Sequence, residues 1–558
     1  MDDSTDAATR VGPKMTPDAN AGPKEQARLV AALAQPARFG PDCTRVTVLE
    51  THISYVLLTG QYAYKFKKAV DFGFLDFTTL EARRHFCEEE LRLNRRHAPA
   101  LYLEVVPITG SIDTPLVGGE GTILEYAVKM REFPQDALAS GLLARGELGP
   151  ADIDALAANV ASFHGTIRGA APGAGFGTPD GILRRARDNS TTILPLLDAP
   201  DERADIDALA AWTRREHARL RSVFQRRLSE GFVRECHGDL HLGNIARIDG
   251  VLTLFDCIEF NPELRWIDVM SEVAFAVMDL EDRGRADLGH RFLDAYLQRT
   301  GDYGGLAVLR FYLVYRALVR AKIARLRAHQ LDAGEARGRV VDEYRGYVRL
   351  ARGYAGAARS AIVIAHGLSG SGKTTLTQAL LEDLGAVRLR SDVERKRLHG
   401  LAPRERDRRG VDQGLYTPIA TDATYRRLAA LTREIVAAGF VAIVDAAFLK
   451  RAQRELFRAL AAELRIPFVI LDFIASEATL RERVARRAAA DADASDADLA
   501  VLGYQLLTGE PLAPEEQSSV IGYDAEAPLD SARAPGAWRA VRERIGHVTL
   551  GSAPDLRP

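Results

Sequence analysis

Residues 367–374 read Gly-Leu-Ser-Gly-Ser-Gly-Lys-Thr, the G-x-x-x-x-G-K-[ST] spacing in which glycines let backbone N–H groups close around phosphate oxygens. The pattern assigns Gly367, Ser369, Gly370, Ser371, Gly372, Lys373, Thr374 and the adjoining Thr375 to a bound nucleotide. Lys373 reaches the β- and γ-phosphates, and the Thr374 hydroxyl ligates Mg²⁺. Such a loop works only between a strand and a helix. Residues 361–365 are an apolar run that reads as a buried strand, and residues 373–384 place Leu376, Leu380 and Leu384 on one helical face. The phosphates then sit on a helix N-terminus. A surface Gly/Ser linker, the competing reading, predicts no such flanks.

A second set of residues lies far upstream. Residues 237–244 read His-Gly-Asp-Leu-His-Leu-Gly-Asn, which sets Asp239 five residues ahead of Asn244, the separation found in the catalytic loop of protein-kinase-like enzymes. One carboxylate there orients or deprotonates a hydroxyl while an amide oxygen holds Mg²⁺ against the phosphates. After a turn at Asp249-Gly250, the strand at 251–255 ends in Asp256, the natural second metal ligand. The competing reading makes Asp239 and Asn244 turn residues and Asp256 a strand-end cap.

These residues resemble the aminoglycoside phosphotransferase family, relatives of protein kinases with an H-G-D-x-x-x-x-N motif followed by an aspartate after a hairpin. The resemblance implies Asp239 as catalytic base and Asn244 and Asp256 as Mg²⁺ ligands. Ala63-Tyr64-Lys65 resembles the A-x-K of the kinase third strand, which implies Lys65 as the phosphate lysine. Lys67 lies two residues on, on the same strand face, and competes with it. Glu90 is the preferred partner of that lysine, with Glu88 and Glu89 adjacent. No G-x-G-x-x-G precedes Lys65, and Asp256-Cys257-Ile258 stands where protein kinases have D-F-G; both departures occur in enzymes of the resembled family. His237 is expected to orient the loop, and Asp268 to be either a structural aspartate or a helix N-cap.

Three further features complete the phosphate-loop site. Residues 387–392 read as a strand ending in Asp392 at the carboxyl edge of a sheet, where ligands of such folds bind. Asp392 is the candidate base for the acceptor hydroxyl, with Arg395 and Arg397 as acceptor contacts; the alternative is a cap on a helix beginning at 393. The apolar strand 440–444 is closed by Asp445, a Walker-B-like metal-supporting position or else a turn aspartate. Arg483 and Arg487 are one helical turn apart. They resemble the lid of gluconate-kinase-like and nucleotide-kinase-like proteins, whose arginines meet the transferred phosphoryl group; a solvated helix face is the alternative.

The elements that must carry these residues change character along the chain. A hairpin over 46–67 turning at Thr59-Gly60-Gln61, a helix over 80–97, and strands at 104–108 and 122–126 precede helical patterns at 151–167, 201–230 and 266–330. From about residue 360, strands near 362, 387, 440–444 and 468–473 alternate with helices, which argues for a parallel, doubly wound sheet. The element order with the resemblance above implies an N-terminal protein-kinase-like α+β domain plus a C-terminal α/β P-loop NTPase domain with a parallel sheet. The expected division is a disordered N-terminus over 1–25, the kinase-like domain over 26–355 and the P-loop domain over 356–550, with the break at 352–360. Over most of 45–520 the chain resembles a bacterial family of bifunctional aminoglycoside phosphotransferase/ATP-binding proteins.

With 558 residues, 47% of them hydrophobic, the chain has ample material for several cores. Its 74 basic and 76 acidic residues leave a formal charge of −2, so no global field points to nucleic acid or a membrane surface. A local basic patch over 388–409 is the exception that keeps a nucleic-acid acceptor in play. The four cysteines lack metal or disulfide spacing, and neither a signal peptide nor a stretch of 18 apolar residues occurs. The expectation is a cytoplasmic phosphotransferase using ATP and Mg²⁺ at two sites, with a small polar molecule as phosphate acceptor and no membrane. The rival is an ATP-binding regulator with little phosphoryl transfer.

Overall fold

A computed structural model describes residues 22–71, 73, 75–401, 417–490 and 498–546. The chain forms two compact units: Met1–Leu148, Arg168–Ala170 and Arg234–Ile267 make the first, and Gly149–Ile167, Ala171–Val233 and Asp268–Pro558 make the second.

The first unit is built on a six-stranded antiparallel sheet. Its strands are β1 (Thr47–Glu50), β2 (Ser54–Leu58), β3 (Tyr62–Lys67), β4 (Tyr102–Gly110), β5 (Pro115–Val117) and β6 (Ile123–Arg131), in the order β1-β2-β3-β6-β4-β5. Helix α1 (Pro23–Leu33) precedes them, so the loose terminus expected through residue 25 gives way to helix at Pro23. Gln26 of α1 donates to the Lys67 carbonyl at 2.7 Å and to Glu125 at 2.8 Å, and it accepts from the Ala69 N–H at 2.8 Å. Helix α2 (Leu80–Asn94) starts where the Thr79 hydroxyl accepts from the Ala82 N–H, an N-cap that satisfies an otherwise orphaned donor. The fully buried Arg83 of α2 pairs with Glu125 of β6 at 2.9 Å, which locks the helix in rotation on the sheet. Residue 90 lies two turns further along the same face.

Short α3 (Ala139–Ala144), β7 (Val233–Glu235), α7 (Pro262–Arg265) and β10 (Trp266–Asp268) complete the elements between the two larger sheets. The hairpin β8 (Ile245–Ile248)/β9 (Val251–Leu254) turns at Asp249 and Gly250, both with positive φ, the geometry that the Asp-Gly pair favours.

The second unit holds helices α4 (Pro150–Thr166), α5 (Pro179–Ile193), α6 (Pro200–Ser229), α8 (Val269–Asp282), α9 (Ala286–Thr300), α10 (Leu306–Gln330) and α11 (Glu335–Ala355). The helical pattern read over 266–330 is three helices, because Gly284 and Gly301 take positive φ and end α8 and α9. Asp268 performs both roles considered for it: it caps α8 through the Met270 N–H at 2.9 Å and pairs with buried Arg227 at 2.7 Å. Arg227 also meets Asp302 at 2.8 Å.

The same unit carries a five-stranded, all-parallel sheet. Its strands are β11 (Ala361–His366), β12 (Val387–Arg390), β13 (Val441–Asp445), β14 (Phe468–Ile474) and β15 (Val520–Asp524), in the order β12-β13-β11-β14-β15. Between them run α12 (Lys373–Leu384), α13 (Ser391–Leu398), α14 (Pro418–Ala437), α15 (Arg451–Leu464), α16 (Glu477–Ala490) and α17 (Leu499–Thr508), with short α18 (Leu529–Arg533) and α19 (Arg539–Arg544) closing the chain. Val363, Leu380, Leu384, Ile443 and Leu471 are fully or nearly buried in one core cluster, as the apolar runs of a two-sided sheet require. Among the described residues no helix is long and apolar enough to cross a membrane.

Candidate active sites

In the first unit, the antiparallel register puts Lys65 and Lys67 on one face of β3, and both reach Glu90. The Lys65 ammonium donates to Glu90 Oε1 at 2.8 Å and also contacts the Asp256 carboxylate. Lys67 contacts Glu90 Oε2 and Glu259 and has no exposed side-chain surface. Glu90 is thus the shared partner of both lysines. Its neighbours point elsewhere: Glu88 pairs with Arg84 and Glu89 with Arg92 and Arg265.

Burial alone would pull both ammonium groups down, but Asp256, Glu90 and Glu259 around Lys65, and Glu259 and Glu90 around Lys67, raise them above their ordinary values. The opposing effects at Asp256 are burial, which raises its carboxyl, and the Lys65 and Lys67 charges, which outweigh burial and lower it. Lys65 stays charged and aimed. Glu259 is raised by burial against the pull of Lys67.

Sequence reasoning missed Glu259. The available signal was that two lysines on one buried strand face need more than one carboxylate.

Asp256 follows β9 with φ 62, a left-handed conformation uncommon for a residue with a side chain. Its N–H donates to the Tyr102 hydroxyl at 3.0 Å, and the next N–H, of Cys257, donates to Asn94 Oδ1 at 3.0 Å. Asn94 in turn donates to the Glu90 carbonyl at 2.8 Å, so one helix supports both Glu90 and the turn that presents Asp256. The Asn244 amide donates to Asp239 Oδ2 at 2.9 Å and to the Asp239 carbonyl at 3.0 Å. Both bonds use the amide nitrogen, so the Asn244 amide oxygen is the atom that could hold a metal. His241 Nδ1 accepts from the Gly243 N–H at 3.0 Å, which turns its other nitrogen toward Asp239 Oδ2 at 3.3 Å. His237 Nε2 meets the Phe255 carbonyl at 2.8 Å, while its Nδ1 accepts from the Asp239 N–H at 3.3 Å. Both contacts go to backbone, so His237 ties the loop to the hairpin.

In the second unit the phosphate loop joins β11 to α12. Gly370 has φ 88, and a Cβ there would stand 2.7 Å from the Leu480 carbonyl oxygen, so only glycine lets this loop approach α16. Lys373 Nζ donates to the Gly367 and Leu368 carbonyls at 2.8 Å each. Burial takes its ammonium down to about 8, against the raising influence of Asp445 and Asp392. The Thr374 hydroxyl donates to Asp445 Oδ2 at 2.7 Å. Asp445 is the last residue of β13, paired in register with Ala365 of β11.

A cavity of about 960 Å³ opens over this loop, lined by Ser369, Lys373, Thr374, Asp392, Asp445 and Arg487 among others. Gly370, Gly372, Thr375, Arg395 and Arg483 also line it. The donor set of loop amides, Lys373, Thr374 and Asp445 suits a triphosphate with a divalent cation. Arg483 donates to the Ala525 carbonyl at 2.9 Å.

Asp392 departs from expectation in its setting. β12 ends at Arg390 and α13 begins at Ser391, so Asp392 lies in the first turn of a helix whose N-cap is Arg390, neither ending a strand nor capping. Arg395 pairs with it at 3.4 Å. Arg397 is directed to Glu394 and the Gln298 carbonyl. The basic patch expected over 388–409 loses Arg388 to a buried ion pair with Asp294, and its positions from 402 lie outside the described residues. Gln505 of α17, which no sequence pattern singled out, accepts from the Ser369 N–H at 2.8 Å.

Comparison with known proteins finds two family matches along the chain. Residues 117–312 match the Phosphotransferase enzyme family and residues 362–512 match the AAA domain. Uncharacterized protein Rv2004c of Mycobacterium tuberculosis is 30% identical over 456 residues, 81% of this chain and 88% of that protein. The chain belongs to the bifunctional aminoglycoside phosphotransferase/ATP-binding protein family.

In this family member the phosphotransferase match spans Asp239, Asn244, Asp256 and Glu259 but begins after Lys65 and Glu90. The AAA match spans the phosphate loop, Asp392, Asp445, Arg483, Arg487 and Gln505. Both halves are kinase-like. Among solved structures, an amicoumacin kinase, hAmiN, is similar at 13% identity and TM-score 0.36 over 60% of this chain and 95% of its own. A sugar kinase from Janibacter sp. HTCC2649 is similar at 19% identity and TM-score 0.25 over 34% and 95%.

Proposed function

We propose that the chain is an ATP- and Mg²⁺-dependent phosphotransferase that acts on hydroxyl groups of small polar molecules and has two nucleotide sites. The observation that carries the reading is that each kinase-like half gathers the same three elements: a half-buried lysine, two oxygen-bearing side chains able to hold a metal and a further aspartate. In the first, Lys65 is held by Glu90 and Asp256, with Asp239 and Asn244 on one loop. In the second, Lys373, the Thr374–Asp445 pair and Asp392 line one cavity.

Bound Mg·ATP supplies the transferable phosphoryl group and neutralises its oxygens. Lys65 and Lys373 would hold the phosphates, Asn244 with Asp256 and Thr374 with Asp445 would hold the metal, and Asp239 or Asp392 would accept the acceptor's hydroxyl proton. Arg483 and Arg487 meet the phosphoryl charge at the second site. The near-zero net charge and the inward-turned Arg388 favour a small acceptor over nucleic acid. Four free cysteines fit a reducing, cytoplasmic setting.

The test is a metabolite-pool screen with γ-labelled ATP on the full chain, alongside Asp239→Asn and Lys373→Ala. Each substitution is expected to remove transfer from one set of acceptors by about 10³-fold or more while Asp239→Asn keeps nucleotide affinity. Nucleotide binding with no labelled product from the unmutated chain sinks the phosphotransferase reading in favour of the regulator.

A further inference from the structure

Arg388 projects from β12 into the buried space beside the first turn of α12. Its Nη1 donates to the Thr374 carbonyl oxygen at 2.6 Å and to Thr377 Oγ1 at 3.3 Å. Its Nη2 donates to Gln378 Oε1 at 2.6 Å and to Asp294 Oδ2 at 3.1 Å. The Arg388 backbone N–H donates to Asp294 Oδ1 at 3.3 Å. The two side chains are 5% and 3% exposed. A guanidinium so deep in a protein needs a counter-charge and hydrogen bonds, which here reach Nη1 and Nη2 while Nε has none among the described residues. Asp294 is that counter-charge.

Asp294 belongs to α9, inside the segment that matches the Phosphotransferase enzyme family, whereas Arg388 and Thr374 belong to the AAA match. Helix α9 packs on both α12 and β12 within the second unit. Two further ties reach the far end of α12: Arg291 bridges Asp154 at 2.6 Å and Glu382 at 2.7 Å, and His290 Nδ1 meets the Glu382 carbonyl at 2.8 Å.

Thr374 is therefore held from two sides, its hydroxyl on Asp445 and its carbonyl on Arg388. The same carbonyl also accepts from the Thr377 hydroxyl at 3.3 Å, and the shorter Arg388 contact adds a charged restraint on the backbone from which the Thr374 hydroxyl projects. We propose that Asp294 is a positioning residue for the phosphate loop: through Arg388 it sets the metal-ligating Thr374, so metal-nucleotide binding in the AAA half depends on a helix of the phosphotransferase half. The inference rests on the reading of the phosphate loop as a Mg-nucleotide site.

The test uses the full chain carrying Lys65→Ala, so that a fluorescent ATP analogue reports on the second site. Binding is titrated against Mg²⁺ and, separately, in a chelator. Asp294→Asn and Arg388→Met are compared with the double change Asp294→Leu/Arg388→Met, which removes both charges and leaves no buried ion unpaired. All three are expected to raise the half-saturating Mg²⁺ concentration on the order of tenfold while metal-free binding, made by Lys373 and the loop amides, stays within about twofold. Thr374→Ala should produce the same Mg²⁺ shift, with no further shift on adding Asp294→Asn.

An unaltered Mg²⁺ titration in the folded double variant overturns the proposal, and so does an equal loss of metal-free and metal-loaded binding, the mark of a merely structural pair. Absence of Lys373-dependent binding in the parent chain overturns the nucleotide site itself and the inference with it.

Discussion

Lys373 offers a pH dependence whose size follows from its surroundings. Burial lowers its ammonium from 10.5 to about 8, Asp445 and Asp392 oppose that, and Arg487 adds to it. The difference, 10.5 − 8, is about 2.5 units, or ~3.4 kcal/mol at 1.36 kcal/mol per unit, lessened where the partly exposed residue meets solvent. A triphosphate placed against Nζ stabilises the charged form, so above pH 8 nucleotide binding must take up a proton. Affinity at this site should fall as pH rises past about 8, approaching tenfold per unit, because the free site has lost the proton that the complex retains. The lysine's own effect on folding runs the other way. Between pH 8 and 10.5 the unfolded chain holds a proton that the folded one lacks, so this group makes folding more favourable as pH rises and cannot cause the loss by unfolding.

Calorimetry on the full chain with Lys65→Ala, in two buffers of different ionisation enthalpy near pH 8.5, reads the proton uptake directly. The nucleotide's phosphates are already ionised there. Lys373→Arg, with a side chain that stays protonated, should bind without the slope. Identical affinity across about pH 7.5 to 9.5 with no proton uptake would refute the assignment of Lys373 as the phosphate ligand.

Other substitutions test the remaining parts. Glu259→Gln leaves Lys67 and Lys65 competing for Glu90, and should weaken Mg·ATP binding in a Lys373→Ala background on the order of tenfold; replacing Lys67 and Glu259 together by Met and Leu should recover most of it. Gly370→Ala sets a Cβ 2.7 Å from the Leu480 carbonyl at φ 88 and should lower thermal stability by about 1–3 kcal/mol, with nucleotide binding at the second site lost in a filter assay. Asp268→Ala leaves Arg227 with Asp302 alone and uncaps α8, a change expected to cost about 3–5 kcal/mol in denaturant unfolding.

The parts legible in the sequence were those in which neighbours along the chain are neighbours in space. The phosphate loop with its strand and helix, the Asp249-Gly250 hairpin and the Asp239-to-Asn244 spacing depend on local rules of turn and period. Helix α12 spans the residues its leucine pattern indicated. The strand–helix alternation after residue 360 gave the parallel sheet, since crossovers of that length leave few other arrangements. Partners fixed only by tertiary closure were illegible. Glu259 meets Lys67 across 192 residues, and Asp294 meets Arg388 across 94, separations over which spacing carries no information. Asp392 was misplaced by two residues because Arg390 and Ser391, polar in either state, give no sign of where strand becomes helix. Arg388 read as surface charge because arginine usually is.

The order of the parallel sheet has a consequence for how such a protein can change its diet. Thr374 opens α12 directly after the phosphate loop that leaves β11, and Asp445 closes the adjacent β13, so the span between hydroxyl and carboxylate is set by that tight loop and by the pairing of two neighbouring strands. Asp392, Arg395 and Tyr425, on the cavity wall, come after β12 in α13 and α14 and form no part of that pair. Substitutions there can reshape the cavity wall while the Thr374–Asp445 pair keeps its gauge.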